Sequence, residues 1–103
     1  MELKTAKEIL KGFLADRELT FSIRRYPDGE WVAECNEIPA IMTGGKEDDI
    51  TNIDTMIRDA ILTAAGVDTE YANEVLKFVG YRQANRVANL FRIDRTEAEY
   101  VLS

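Results

Sequence analysis

Apolar residues recur at helical spacing twice in the first two-thirds of the chain. Leu3, Ala6, Leu10, Phe13 and Leu14 form one stripe over residues 3–15, with Lys4, Glu8 and Lys11 opposite. Ile50, Ile53, Ile57, Ala60, Ile61 and Ala64 step by three and four over residues 48–65. Both segments read as amphipathic helices that bury one face. Asp48 and Asp49 stand at the start of the second, where carboxylates cap free N–H groups and suit the helix dipole. Gly66 stands at its C′ position. Between the helices the period changes to two. Leu19, Phe21 and Ile23 alternate with Thr20, Ser22 and Arg24, and Trp31, Ala33 and Cys35 alternate with Glu30, Val32 and Glu34. The spacing predicts strands over 19–25 and 30–36, joined through Tyr26-Pro27-Asp28-Gly29 as a hairpin. A third short strand fits 40–43, after the extended Ile38-Pro39 and before Gly44-Gly45.

The last third is less regular. Tyr71, Val75, Phe78 and Val79 support a helix from about Thr69 that Gly80 stops. The run Val75-Leu76-Lys77-Phe78-Val79 serves equally well as a fourth strand, because short apolar runs do not separate the two. Ala84, Val87, Ala88 and Phe91 fit a short helix, Ile93-Asp94 a break, and residues 95–102 a last helix. The fold class expected is α+β: a helix, a three-stranded antiparallel sheet, a helix packed on the same sheet face, then short C-terminal helices. Residues 1–66 form the α/β unit and residues 67–103 a helical segment.

Composition narrows the chemistry. The 103 residues contain no histidine and a single cysteine, Cys35. Histidine-based acid–base work, histidine-assisted nucleophiles and histidine-ligated metals are therefore excluded. So are an internal disulfide and a structural zinc site. Asp48, Asp49 and Asp54 lack the spacing and central glycine of a calcium loop, and Gly44-Gly45 lacks the rest of a phosphate loop. No catalytic residues, metal or cofactor are expected, and the chain reads as a binding protein rather than an enzyme. No apolar run approaches the roughly 18 to 20 residues that span a bilayer, and the N-terminus lacks the apolar core of a signal peptide. A cytoplasmic location is expected. The net charge is −6. Residues 1–66 hold 8 basic and 13 acidic side chains, and residues 67–103 hold 5 and 6, so the acidity lies in the first two-thirds.

The ordered stretch from Asp28 to Gly45 combines an acidic-Gly turn, Trp31-Val32-Ala33, the corner Glu37-Ile38-Pro39, Thr43 and a Gly before an amphipathic helix. It resembles the N-terminal domain of HicB-type antitoxins, over about residues 20–66. The resemblance implies a HicB-like (partial dsRBD-like) fold and a small, basic, RNA-cleaving toxin as partner. It also implies inhibition by steric and electrostatic cover, regulation of the protein's own operon, and a homodimer or higher homo-oligomer. The sequence departs from the family pattern at Ala40, where a glycine is usual, and in the Lys46-Glu47-Asp48-Asp49 entry to the helix. On this reading Glu34, Glu37, Asp48 and Asp49 are the partner-binding carboxylates.

Residues 82–102 resemble a helix-turn-helix, as found behind the antitoxin domain in some of those proteins. Ile93 fills the buried turn position, Asp94 caps, and 95–102 is the reading helix. Arg82, Arg86, Arg95 and Thr96 are then the candidates for contact with operator DNA. Two rival functions follow from the same residues. One is an acidic mimic of nucleic acid that blocks a nucleic-acid-binding protein, which a contiguous carboxylate face favours. The other is a DNA-binding repressor, which a segregated basic face favours.

Overall fold

A computed structural model describes residues 1–85 and 94–103. The chain runs α1 (Leu3–Leu14), β1 (Leu19–Arg25), β2 (Trp31–Cys35), β3 (Met42–Gly45), α2 (Ile50–Ala65), a 3-10 turn (Thr69–Tyr71), a one-turn helix α3 (Ala72–Val75), β4 (Leu76–Asn85) and β5 (Asp94–Leu102). The five strands form one antiparallel sheet in the order β3-β2-β1-β5-β4.

The N-terminal elements follow the periodicities that predict them. In β1 and β2 every second residue is buried: Leu19, Phe21 and Ile23, then Trp31, Ala33 and Cys35. The hairpin between them closes through Tyr26 N–H to Glu30 O at 2.8 Å and Gly29 N–H to Tyr26 O at 3.1 Å. Gly29 takes φ +91°, a conformation that glycine enters without a Cβ penalty. In α2, Ile53, Ile57, Ile61 and Leu62 are buried. Asp49 caps the helix by accepting the Asn52 N–H at 3.1 Å, and Gly66 ends it at φ +77°. Helix α1 adds Ala6, Leu10 and Leu14 to the same core.

Two parts of the sequence-based expectation are corrected. The sheet has five strands rather than three, and residues 94–102 are extended rather than helical. The reading helix expected at 95–102 is therefore strand β5, and the helix-turn-helix pairing that placed Arg95 and Thr96 on its N-terminal turn does not form. The physical reason is the edge of β1. With only β2 beside it, β1 leaves a row of backbone donors and acceptors unpaired along a strand whose side chains are buried. Strand β5 fills that edge over the whole of β1, from Leu19 opposite Tyr100 to Arg25 opposite Asp94. Residues 94–102 alternate accordingly. Ala98 and Tyr100 are fully buried, while Glu97, Glu99 and Val101, which alternate with them, are half-exposed. Tertiary pairing and period-two burial override the helix preference of Glu and Ala. Strand β4 forms the outer edge, with register shifts between Phe78 and Gly80 and between Gln83 and Asn85. Of the two readings of residues 75–79, the strand forms, from Leu76, with a single helical turn before it.

The third strand begins two residues later than predicted, and Gly44-Gly45 belong to it instead of ending it. A Cβ on Gly44 would lie 2.6 Å from the Trp31 carbonyl oxygen, and one on Gly45 would lie 3.0 Å from Trp31 Nε1. The two glycines let β3 approach β2 directly over the buried tryptophan.

Candidate functional site

The sheet has a covered side and an open side. Helices α1 and α2 pack with the buried residues of every strand but β3 into one core cluster. The opposite side carries Thr20, Ser22 and Arg24 from β1, Val32 and Glu34 from β2, and Arg95, Glu97 and Glu99 from β5, all half-exposed or exposed. Cross-strand register sets these side chains in rows. Ser22 lies opposite Glu34 on one side and Glu97 on the other. Two residues along, Arg24 lies opposite Val32 and Arg95. Ser22, Arg24, Glu34, Asn36, Arg95 and Glu97 line a depression of about 540 Å³ on this side. At its end the Ser22 hydroxyl donates to Asn36 Oδ1 at 2.9 Å. With that oxygen engaged, the Asn36 amide presents its N–H₂. Among the described residues neither Arg24 nor Arg95 has a carboxylate within ion-pair distance. The strand pitch of about 3.4 Å per residue puts the arginine row about 7 Å from the Glu34 row.

The four carboxylates proposed to bind a partner are not brought together. Glu34 faces the depression on the open side. Glu37 is committed to the corner after β2: its Oε1 accepts the Thr20 N–H at 2.6 Å, and Asn36 N–H donates to Thr20 O at 2.8 Å. The carboxylate thereby continues the β1–β2 ladder past the end of β2. Asp49 is the α2 cap, and Asp48 precedes it in the β3–α2 connection. Of the proposed DNA-binding residues, Arg95 and Thr96 both line the depression. Thr96 is in register with Ile23, whose side chain is in the core. Arg82 lies in β4 opposite Glu97 in the register. Arg86 lies outside the described residues.

Sequence reasoning did not single out the polar tie on the covered side. Asp54 on α2 accepts the Arg58 Nε–H at 3.0 Å and the Tyr100 hydroxyl at 2.7 Å. Arg58 also donates to the carbonyls of Ala72 and Leu76, at 3.2 and 2.9 Å, and its guanidinium lies 5.5 Å from the Tyr100 ring centre. One side chain thus fastens α2 to α3 and to the start of β4. Burial raises the pKa of the Tyr100 hydroxyl well above its usual range, and the bond to Asp54 raises it further. Burial also raises Tyr81, with Asp54 adding to the effect and Arg25 and Arg58 opposing it. The sequence signal was the Asp54–Arg58 spacing of four on a helix whose buried positions are isoleucine and leucine.

Cys35 is buried, and desolvation raises its pKa above the ordinary 9.0. A thiol so placed is a weak nucleophile at neutral pH and packs as a small apolar side chain. Among the described residues, no group of three or more Cys, Asp or Glu is placed to hold a metal ion. No helix among them is long and apolar enough to cross a membrane.

Fold and site together define a small α+β protein with a helix-clad five-stranded antiparallel sheet and a charged depression on the bare side. No family model, curated protein or solved structure matches the chain.

Proposed function

We propose that the chain is a partner-binding protein of the HicB-like antitoxin kind, which neutralises a small, basic, RNA-cleaving toxin by covering its RNA-binding surface. The observation that carries the reading is the open side of the sheet. Its polar side chains are held in fixed rows by the ladder, over a core that the other side completes. A rigid sheet presents such groups with little conformational entropy left to lose on binding. The residues behind the resemblance supply three consecutive antiparallel strands, the Glu37-Ile38-Pro39 corner and the helix 50–65, in the order that the family pattern implies. The net charge of −6 favours encounter with a basic partner.

The acidic-mimic alternative draws less support, because Glu34, Glu37 and the Asp48-Asp49 pair occupy three separate places rather than one carboxylate face. The test is a titration against the product of the adjacent reading frame. A stoichiometric complex and the loss of that protein's RNA cleavage are expected. Raising the salt should slow association, since exposed charges are screened beyond about 10 Å at 0.1 M. A neighbouring product that neither binds at micromolar concentration nor cleaves RNA overturns the reading.

A further inference from the structure

The arginine row of the open face is costly as it stands. Arg24 and Arg95 are paired residues of adjacent antiparallel strands on one face of the sheet. Like charges directly opposite each other destabilise a sheet. Here neither guanidinium has an ion-pair partner among the described residues. Both line the same depression, beside the Ser22 hydroxyl and the Asn36 amide. A chain that needed only a solvated sheet surface would be better served by opposite charges at these two positions. The register and the shared depression place two planar donor forks on neighbouring strands beside one another, a donor set suited to an oxyanion.

We propose that this depression receives a carboxylate of the protein partner, held between Arg24 and Arg95, with Glu34 taking a basic side chain of the same partner about 7 Å away. The inference rests on the partner-binding reading above and deepens it by naming the contact. Charge decides between the two common oxyanions. Glu34 and Glu97 line the same depression one row, about 7 Å, away, so a dianionic phosphate, or a backbone carrying one at every step, meets carboxylates beside the arginine pair. A single carboxylate followed by a cation meets attraction at both rows. Acidic and basic side chains one helical turn apart are spaced about 5 to 6 Å on a helix surface. A partner helix with an acid–base pair at i,i+4 therefore matches the two rows.

The experiment uses the whole chain and a probe whose chemistry is known. An (EAAAK)₃ peptide, predominantly helical, carries the acid–base pair at that spacing, and (QAAAK)₃ lacks only the carboxylate. Chemical-shift titration at low salt is expected to show (EAAAK)₃ binding at least 5-fold more tightly than (QAAAK)₃, with the largest shifts at Ser22, Arg24 and Arg95. Arg24→Gln and Arg95→Gln should each abolish that preference. Both variants should melt a few °C higher than the parent at low salt, as expected from relief of a like-charge pair. A variant that has lost its fold would show the opposite shift, so folding and binding are read apart. Equal binding of the two peptides overturns the carboxylate clamp. Tighter binding of inorganic phosphate or of a single-stranded oligonucleotide than of the peptide overturns it in favour of a phosphate site. If Arg24→Gln leaves neutralisation of the adjacent gene product intact, the clamp is refuted while the antitoxin reading stands. If that product does not bind even the parent chain, the antitoxin reading fails while the peptide titration still decides the clamp.

Discussion

Replacing Asp54 with alanine tests how the helix layer is held to the sheet. The carboxylate serves two partners at once, the half-buried Arg58 Nε and the hydroxyl of the buried Tyr100. Loss of the hydroxyl bond alone, a bond to a charged acceptor, costs about 1.5 to 3 kcal/mol. Breaking a fully buried ion pair by removing one partner costs about 3 to 5 kcal/mol. Here that range needs discounting. The Arg58 side chain is 12% exposed, the Asp54 side chain is 30% exposed, and the guanidinium keeps its two carbonyl acceptors. Asp54→Ala should therefore cost about 3 kcal/mol in all, a large share of the 5 to 15 kcal/mol typical of a domain. With a urea m-value of about 1.5 kcal/mol/M, the unfolding midpoint should fall by about 2 M at unchanged slope. Tyr100→Phe should cost about 1.5 kcal/mol, because only the hydroxyl leaves. The double variant should be no less stable than Asp54→Ala alone, since a hydroxyl orphaned by the first change is removed by the second. Two penalties that simply add would refute the Tyr100–Asp54 bond, because contacting residues should couple by about 1 to 2 kcal/mol.

Two other consequences are open to direct measurement. Gly44→Ala would set a methyl 2.6 Å from the Trp31 carbonyl oxygen, a backbone atom that cannot swing aside. It should cost about 1 to 3 kcal/mol by denaturant melts, and parental stability would mean that β3 does not lie against β2 as described. Alkaline pH should destabilise the protein in steps. Cys35, Tyr81 and Tyr100 all have folded pKa values above their ordinary 9.0, 10.0 and 10.0. The unfolded chain loses these protons first, so stability is fully present below about pH 9 and falls as the pH rises beyond it. Each such group contributes up to about 1.4 kcal/mol per pH unit. Tyr100→Phe should lower the slope above pH 10 by one proton's worth, and an unchanged slope would contradict the raised tyrosine.

Local signals made the first two-thirds of the fold legible. Alternation at Leu19, Phe21 and Ile23 and steps of three and four at Ile53, Ile57 and Ile61 are both direct images of burial, and all six residues are fully buried. The C-terminal strands were harder to read because two signals conflict there. Residues 94–102 contain Glu97, Ala98 and Glu99, good helix formers, within a period-two order that only the strand β1 satisfies. Sequence spacing carries no information about which edge lies 70 residues away. The depression was illegible for the same reason. Arg24 and Arg95 come from strands far apart in the chain, and only the register sets them opposite each other. Glu34, Glu37, Asp48 and Asp49 illustrate the converse. Their nearness in sequence suggested one acidic surface, but the corner and the helix cap take Glu37 and Asp49 for local backbone hydrogen bonds.

The division of labour between the two sides of the sheet bears on what the charged residues are for. The covered side holds the buried aromatic and aliphatic side chains, together with the Asp54–Arg58–Tyr100 tie that fixes α2 and α3. Stability is concentrated there, because burial of apolar area and satisfied buried polar groups dominate the free energy of folding. The open side contributes exposed or half-exposed side chains whose removal leaves the core untouched. A pair of opposed arginines on that side is not required by the core, and like charges directly opposite each other disfavour the sheet. The proposed carboxylate contact would account for the pair. Natural proteins retain locally unfavourable groups where binding requires them. Substitutions at Arg24, Arg95 and Glu34 should accordingly separate binding from stability, whereas substitutions at Asp54 and Tyr100 should lower both together.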